Sequence, residues 1–133
     1  MAPAVLEAHL ARNRGFERAA YPATLPALLR RAAERYGEAP ACVFFEDDES
    51  LSFRQLHTLS VRLANGFAAL GVRHGDHVAA MLPNRMEYPV TWMALARIGA
   101  VMVPINPRYT WHELQFALAD SGADFLVIDE AHL

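Results

Sequence analysis

The stretch HVAAMLPNRMEYPVTWMALARIGAVMVPI, from His77 to Ile105, contains two apolar runs separated by a segment of helical length. The runs HVAAMLP and AVMVPI are almost continuously apolar, which is typical of strands that are buried on both faces. The segment between them ends at Gly99, and glycine favours the left-handed conformation in which many helices stop. The stretch therefore predicts a strand, a helix and a second strand parallel to the first.

Two interpretations of the start of this helix are open. Asn84 and Glu87 have the spacing of a capping box, in which each side chain accepts a hydrogen bond from the backbone N–H of the other residue. Pro89, however, has no backbone donor and disturbs a helical turn that has already formed. Either the first turn is irregular, or the helix begins later than the box predicts.

A further helix and strand follow toward the carboxyl terminus. Thr110 and Glu113 form another capping box, and Gly122 supplies a helix stop. The apolar face of this helix is predicted to consist of Trp111, Leu114, Ala117 and Leu118. The run DFLVID then predicts a third strand. An order of strand, helix, strand, helix, strand with short connections calls for a parallel sheet that is covered on both sides.

A long helix precedes this unit. Ser52 and Gln55 form a capping box at its start, and Gly71 is its expected stop. The apolar face of this helix is predicted to consist of Leu56, Leu59, Leu63, Phe67 and Leu70. Gly66 lies inside the helix, where glycine costs about 1 kcal/mol relative to alanine, so we expect close backbone packing at that position.

A helix and a hairpin come before the long helix. Thr24 is the expected cap of the earlier helix, and Gly37 is its expected end. The apolar face of this helix is predicted to consist of Leu25, Leu28, Leu29, Ala32 and Tyr36. The short runs ACVFFE and SLSF are separated by acidic residues, and this pattern predicts a hairpin with a polar tip.

Together these elements predict an α/β fold of three layers: a mostly parallel sheet with helices on both faces, preceded by a helix and a short β-hairpin. We divide the chain into a leader, residues 1–22, and an α/β unit, residues 23–133. The leader is predicted to contain a short helix with Val5, Leu6 and Leu10 on one side. Because the last strand ends near the carboxyl terminus, we expect an unpaired sheet edge and a unit that is truncated or needs a partner.

The composition of the 133 residues is that of one globular domain. All 12 basic residues are arginines, so this chain alone cannot carry out a mechanism that needs a lysine. Residues 1–36 contain six arginines and three acidic residues, whereas residues 37–133 contain six arginines and twelve acidic residues. We expect the basic segment to be solvated, with contact to a membrane surface as the less favoured alternative, and we expect no nucleic-acid partner.

The cysteine content and the lack of targeting signals indicate the compartment. Cys42 is the only cysteine, which excludes an internal disulfide and suits a reducing environment. No segment has the pattern of a signal peptide or the length of a membrane span. We therefore expect a cytoplasmic protein. Because Cys42 lies in an apolar strand, where desolvation disfavours the thiolate, a packing role is favoured over a nucleophilic one.

The strand-to-helix turns lack the features of a phosphate site. Neither NRME nor NPRYT contains a glycine that would let backbone amides approach a phosphate. His74, Asp76 and His77 could bind a metal ion, but a polar turn before a strand explains them better. The aromatic residues near the last helix could line an acyl or aromatic pocket, but a core position is more usual for such residues. These residues are Tyr109, Trp111 and Phe116.

Two further groups suggest metal chemistry and are rejected. His112 and Glu113 resemble the start of the zinc motif H-E-x-x-H, but Phe116 stands where the second histidine would be, so Glu113 is better explained as a helix cap. The acidic run from Glu46 to Glu49 lacks the glycine and the spaced oxygens of a calcium loop. We interpret this run as the solvated tip of the hairpin.

Two sequence elements resemble those of a known family. LSFRQL, from Leu51 to Leu56, and ARIGAVMVPINPRYT, from Ala96 to Thr110, are similar to elements of the AMP-forming, adenylate-forming enzymes, in particular acyl-CoA synthetases of the fatty-acid CoA ligase type. The resemblance covers about residues 24–130 in the same order and spacing. It implies that this chain is the amino-terminal segment, and a partial subdomain, of a larger enzyme. Such an enzyme joins a carboxylic acid to ATP, releases pyrophosphate and passes the acyl group to coenzyme A.

The resemblance also implies what this chain does not do. ATP, Mg²⁺ and coenzyme A are implied for the full-length enzyme and are not expected to be bound by this fragment. We therefore predict no catalytic, cofactor-binding or metal-binding residue here, and we predict that the chain by itself is inactive. Leu51–Leu56 and Gly99–Asn106 match elements that we interpret as scaffold.

The partner expected from the resemblance is the remainder of the enzyme, or a second copy of the chain that associates through the exposed sheet edge. An alternative function is a stand-alone, non-catalytic module that uses the same scaffold for interaction or dimerisation.

Overall fold

The computed structural model describes Glu7, Ala11 and residues 20–132, so the helix predicted around Val5, Leu6 and Leu10 lies outside the described residues. The helices are α1 (Leu25–Tyr36), α2 (Phe53–Ala69), α3 (Glu87–Ile98) and α4 (Trp111–Ser121), followed by a short 3₁₀ turn (Glu130–His132). The strands are β1 (Pro40–Phe44), β2 (Glu49–Ser52), β3 (His77–Met81), β4 (Val101–Pro104) and β5 (Phe125–Ile128). Within the described part of the chain, no helix is long and apolar enough to cross a bilayer.

The predicted parallel sheet is confirmed. It has three strands in the order β4-β3-β5, and β3 pairs in parallel with both neighbours. The central strand β3 is inaccessible to solvent at Val78, Ala79 and Ala80. A strand buried on both faces has the continuous apolar character that HVAAMLP shows.

The three-layer architecture is confirmed by the alternation of side chains along β3. Val78 packs against Phe67 of α2 and Leu95 of α3 on one face of the sheet. Ala79 packs in a separate cluster that contains Leu114 of α4. Because successive side chains of a strand point to opposite faces, α2 and α3 lie on one side of the sheet and α4 on the other.

The predicted helix and hairpin before the sheet are also present. The side chain of Thr24 caps α1 by accepting a hydrogen bond from the backbone N–H of Ala27 at 3.3 Å. Strands β1 and β2 pair antiparallel, with an irregularity between Pro40 and Cys42. A second apolar cluster joins α1, β2, α2 and α3 through Leu29, Leu51, Leu56 and Val90.

The start of α3 settles the two interpretations left open by the sequence. The helix begins at Glu87, and its cap residue Met86 makes no side-chain capping bond, so the box predicted at Asn84 and Glu87 is wrong. Pro89 is the third helical residue. It is tolerated there because the first N–H groups of a helix have no partner within the helix. The helix therefore starts later than the box predicts, and the turn before Pro89 is also irregular, with the N–H of Tyr88 donating to the carbonyl of Arg85 at 3.1 Å.

Several residues predicted to be buried are exposed. Leu70 is 75% exposed because it lies just beyond the end of α2, and Trp111 is 74% exposed at the first position of α4. On α1 only the stripe of Leu29 and Ala33 is buried. The remaining predicted apolar residues of α1 are exposed or half-buried; they are Leu25, Leu28, Ala32 and Tyr36.

Two further predictions about packing are wrong. Strand β4 is not buried on both faces: Val101 and Pro104 are exposed, because β4 has a strand on only one side among the described residues. Gly66 does not mark a close backbone approach, since a Cβ added there would meet no atom within 4 Å. The helix accommodates this glycine without a packing reason.

The amino-terminal ends of the strands are joined by hydrogen bonds between turns. The backbone N–H of Gly75 donates to the carbonyl of Gly99 at 2.9 Å, and that of Val101 donates to the carbonyl of Asp76 at 2.8 Å. Nδ1 of His77 lies 2.6 Å from the carbonyl oxygen of Ser121, the last residue of α4. A carbonyl oxygen can only accept, so the histidine donates. We call this side of the sheet the closed end.

Gly99 is a position at the closed end where the backbone favours glycine. Its φ is +79°, and a Cβ there would overlap Cδ2 of His74. We expect Gly99→Ala to lower the free energy of unfolding by about 2 kcal/mol, as measured by urea denaturation, because a left-handed backbone and a steric overlap are both imposed on alanine.

The matched control is Gly66→Ala in α2, where there is space for the added methyl group. This substitution is expected to raise the free energy of unfolding by up to about 1 kcal/mol, because alanine is the better helix former. Equal effects of the two substitutions would contradict the assigned role of Gly99.

Candidate functional site

A large concave feature lies at the opposite edge of the sheet, beside the carboxyl ends of β3 and β5. It is a cleft of about 910 Å³. Its apolar lining comes from α2, α3 and β5 and from the residues that follow β3; it consists of Leu59, Leu63, Phe67, Leu82, Pro83, Met86, Val90, Val127 and Ile128. Ligands of open α/β sheets usually bind at this edge, so the cleft is the candidate site.

The polar lining of the cleft is mainly acidic. It includes Glu87 at the start of α3, together with Asp129 and Glu130 after β5. Arg85 is the one arginine among the lining residues described, and its Nε lies 3.9 Å from Oδ2 of Asp47 at the hairpin tip. The rim therefore presents more negative than positive charge to anything that enters the cleft.

The loop after β4 is closed on itself by hydrogen bonds. Oδ1 of Asn106 accepts from the backbone N–H of Arg108 at 3.0 Å, and the carbonyl of Asn106 accepts from the N–H of Tyr109 at 3.0 Å. The box of Thr110 and Glu113 is confirmed, with the N–H of Thr110 donating to Oε2 of Glu113 at 2.7 Å. These bonds from Thr110 lower the pKa of Glu113. The loop is therefore a structural corner.

In the turn that contains His74, Asp76 and His77, the three potential metal ligands contact other parts of the protein. Oδ2 of Asp76 accepts a hydrogen bond from the backbone N–H of Arg73 at 2.7 Å, His77 bonds the end of α4, and His74 lies against Gly99. Across the residues that the structure describes, no group of three His, Cys, Asp or Glu side chains is arranged to hold a metal ion. The interpretation of this segment as a turn agrees with these contacts.

The other residues rejected as metal ligands or nucleophiles have structural roles or are exposed. Glu113 is a helix cap, as predicted, and His112 beside it is exposed. The acidic run from Glu46 to Glu49 is exposed at the hairpin tip. Cys42 is half-buried against the second apolar cluster, and burial raises the pKa of its thiol. A raised pKa disfavours the reactive thiolate.

The aromatic residues near α4 are neither core nor cleft residues. Phe116 is 69% exposed, and Tyr109 and Trp111 are also exposed. None of the three lines the cleft. The preference for a core position was therefore wrong for this group, because α4 packs against the sheet through Leu114, Ala117 and Leu118.

A buried polar contact between α2 and α3 was not predicted. Nε of Arg97 donates to Oγ of Ser60 at 3.0 Å, and Oγ of Ser60 donates to the carbonyl of His57 at 2.9 Å. Ser60 is completely buried, and Nη2 of Arg97 is buried without a hydrogen-bond partner among the described residues. Burial lowers the pKa of Arg97. The pKa of His57 is also lowered, mainly by burial and to a smaller extent by the positive charges of Arg97 and Arg30.

Comparison with known protein families gives one match over most of the chain. Residues 29–133 match the family described as AMP-binding enzyme. A long-chain-fatty-acid–CoA ligase from Salmonella typhimurium is 38% identical over 125 residues, which cover 81% of this chain and 21% of that protein. A feruloyl-CoA synthase from an Amycolatopsis species is 46% identical over 83 residues, covering 62% of this chain and 17% of that protein.

A solved structure with the same fold agrees with these relatives. The inhibitor-bound N-terminal domain of FACL13 from Mycobacterium tuberculosis superposes with a TM-score of 0.75 at 33% sequence identity. The superposition covers 79% of this chain and 26% of that chain. The present chain spans about a fifth of the length of the curated relatives described above.

The buried contact between Arg97 and Ser60 generates a stability prediction. Ser60→Ala removes the acceptor of a half-buried guanidinium, so we expect the free energy of unfolding to fall by about 1–2 kcal/mol in urea denaturation. Ser121→Ala is the matched control, because the Ser121 hydroxyl bonds a carbonyl three residues earlier but accepts from no described cation. We expect it to change stability by less than about 0.5 kcal/mol.

The double variant Ser60→Ala with Arg97→Met separates the two contributions. Removing the charge together with its acceptor should recover part of the lost stability, since an unpaired buried charge costs more than an apolar replacement. A double variant less stable than Ser60→Ala alone would show that Arg97 stabilises the helix pair by a different contact.

Proposed function

Because this chain belongs to the AMP-binding enzyme family, we propose that it is the amino-terminal part of an ATP-dependent, AMP-forming acyl-CoA ligase. In the first half-reaction, a carboxylate attacks the α-phosphorus of ATP, which gives an acyl adenylate and pyrophosphate. In the second, the thiol of coenzyme A displaces AMP and gives the acyl-CoA. The observation that carries the proposal is the family match over residues 29–133, supported by relatives named as acyl-CoA ligases.

The proposed role of this chain within the enzyme is that of a scaffold. It has no lysine, and its two βα turns, NRME and NPRYT, contain no glycine at which a phosphate could approach the backbone. The NPRYT turn bonds to itself and to the start of α4. We therefore assign the binding of ATP, Mg²⁺ and coenzyme A to the parts of the enzyme outside these 133 residues.

The proposed substrate is a fatty acid, and the proposed compartment is the cytoplasm. Support for the substrate comes from the Salmonella typhimurium relative, which is named a long-chain-fatty-acid–CoA ligase. The relative from Amycolatopsis is named a feruloyl-CoA synthase, so an aromatic acid is the competing substrate class. Both classes place a carboxylate at the reacting position.

The isolated chain is expected to be inactive. When it is mixed with ATP, Mg²⁺, coenzyme A and a panel of fatty and aromatic acids, pyrophosphate release should equal that of a blank without protein. The Salmonella typhimurium ligase in the same assay serves as the positive control. Steady pyrophosphate release by the 133-residue chain would overturn the scaffold role.

A second candidate function is supported by the exposed edge of β5. A stand-alone module could use this edge to pair with another copy of itself, since β5 has a partner strand on only one side among the described residues. Sedimentation of the chain, and of variants with aspartate at Val127 or Ile128, tests this alternative. Val101→Asp on the other edge strand is the control.

The two functions predict different sedimentation results. A defined dimer that the substitutions at Val127 and Ile128 dissociate, and Val101→Asp does not, would support the module. A monomer, or weak association without a fixed stoichiometry, would support the ligase segment. Circular dichroism of each variant establishes that it is folded.

A further inference from the structure

We propose that two copies of this chain associate by placing the acidic hairpin tip of one copy in a basic groove beside α1 of the other. The tip segment is FEDDE, residues 45–49, between β1 and the start of β2. The groove, which we call the α1 groove, is lined by residues of α1 and by those just before this helix. The inference does not rest on the proposed function, and it involves neither the cleft nor the edge of β5.

The α1 groove combines aromatic, apolar and cationic side chains. It has a volume of about 210 Å³. Its lining includes two tyrosines, a leucine and two arginines: Tyr21, Leu28, Arg31, Arg35 and Tyr36. No acidic residue lines it among the residues that the structure describes. Opposite charges favour association, so the α1 groove selects an anionic partner that also carries an apolar side chain.

Both arginines of the α1 groove retain N–H groups for a partner. Nη1 of Arg31 donates to the carbonyl of Ala20 at 3.1 Å, which leaves four of the five N–H groups of this guanidinium. The guanidinium of Arg35 lies over the ring of Tyr36, 5.3 Å from its centroid, and this contact leaves the in-plane N–H groups free. Residues one helical turn apart have Cβ atoms about 6 Å apart, so one short segment can reach both guanidiniums.

The tip segment carries the complementary groups. The side chain of Phe45 is 85% exposed, and the four acidic residues after it are exposed as well. Oδ2 of Asp47 lies 3.9 Å from Nε of Arg85, whereas Glu46, Asp48 and Glu49 form no ion pair with any residue in the described part of the chain. Carboxylates bind guanidinium groups in bidentate geometry, and burial of an exposed aromatic ring is favourable. The tip segment therefore has the chemistry that the α1 groove selects.

A second copy fits the α1 groove better than a small molecule or a lipid surface. Small-molecule sites usually have volumes of about 300–1,000 Å³, which is more than this groove offers. A helix that binds a membrane turns its apolar face outward, whereas α1 buries Leu29 and Ala33 against the protein. The tip segment does not line the groove of its own copy. The contact is therefore intermolecular.

The contact can form twice in one dimer. Each copy carries one tip segment and one α1 groove, so a two-fold arrangement pairs each tip with the groove of the other copy. Each contact is small, and small interfaces of this kind give weak association. We therefore expect a closed dimer that dissociates on dilution.

Charge reversal tests the proposal by analytical ultracentrifugation of the 133-residue chain. The groove variant combines Arg31→Glu with Arg35→Glu, and the tip variant combines Glu46→Lys with Glu49→Lys. Asp48 is left in place because its φ is +52°, a conformation that aspartate adopts more readily than most residues.

The matched control for the groove variant is Arg30→Glu with Arg62→Glu. These two arginines are exposed on α1 and α2 and do not line the α1 groove, so the change in net charge is the same. We expect the unsubstituted chain to dimerise with a Kd between about 10 µM and 1 mM, as for a small interface. The groove and tip variants should each weaken the dimer at least tenfold, and the control should change it by less than about twofold. A chain that stays monomeric up to about 1 mM, or equal weakening by the control, would overturn the proposal.

Mixing the groove variant with the tip variant is the decisive measurement. In the mixed pair, the unsubstituted tip segment meets an unsubstituted groove, and the lysine-bearing tip segment meets the glutamate-bearing groove. Both contacts are again attractive, so we expect a heterodimer whose Kd is within about threefold of that of the unsubstituted chain. Circular dichroism establishes that each variant is folded. Folded variants that fail to associate on mixing would refute the contact.

Further variants test the apolar contact and the competing surfaces. Phe45→Ala should weaken the dimer at least fivefold, whereas Leu70→Ala, at an exposed leucine at the end of α2, should leave it unchanged. A dimer that Val127→Asp dissociates would use the edge of β5 and would overturn the proposal. A chain that forms no dimer but binds phosphatidylglycerol vesicles through Arg31 and Arg35 would identify a lipid as the occupant and would also overturn it.

Discussion

The burial of β3 on both faces is the constraint on which the rest of the structure depends. The strand pairs with β4 on one side and β5 on the other, and its residues Val78, Ala79 and Ala80 have no contact with solvent. Such a strand has no polar face, so helices must cover the sheet from both sides. The positions of α2 and α3 on one face and α4 on the other follow from this requirement.

Local signals in the sequence predicted helix starts well when the flanking residues agreed with the cap. The boxes at Ser52 and at Thr110 formed as predicted, because a capping box depends only on residues three positions apart. The box predicted at Asn84 and Glu87 had the same spacing but did not form, because the helix that contains Pro89 begins at Glu87. Spacing alone was therefore insufficient where a proline restricts the first turn.

Exposure and the candidate site were harder to predict, because both depend on residues far apart in the chain. Leu70 and Trp111 have the spacing of buried residues but lie at helix ends, where little packs against them. Leu63 and Val127 have the pattern of ordinary core residues. Both line the cleft beside β5, which has a neighbouring strand on only one side among the described residues, and strand order cannot be obtained from periodicity. An arginine in the apolar run ALARIGAV was the one available signal for the contact of Arg97 with Ser60.

The closed end of the sheet has a consequence for the order in which the protein folds. The hydrogen bonds from Gly75 to Gly99 and from His77 to Ser121 lie within residues 75–121. They can therefore form as soon as these residues have been synthesised. Folding of a nascent chain generally proceeds from its amino-terminal part. A core whose strands are joined at the closed end can thus become ordered on the ribosome as soon as residues 75–121 have emerged.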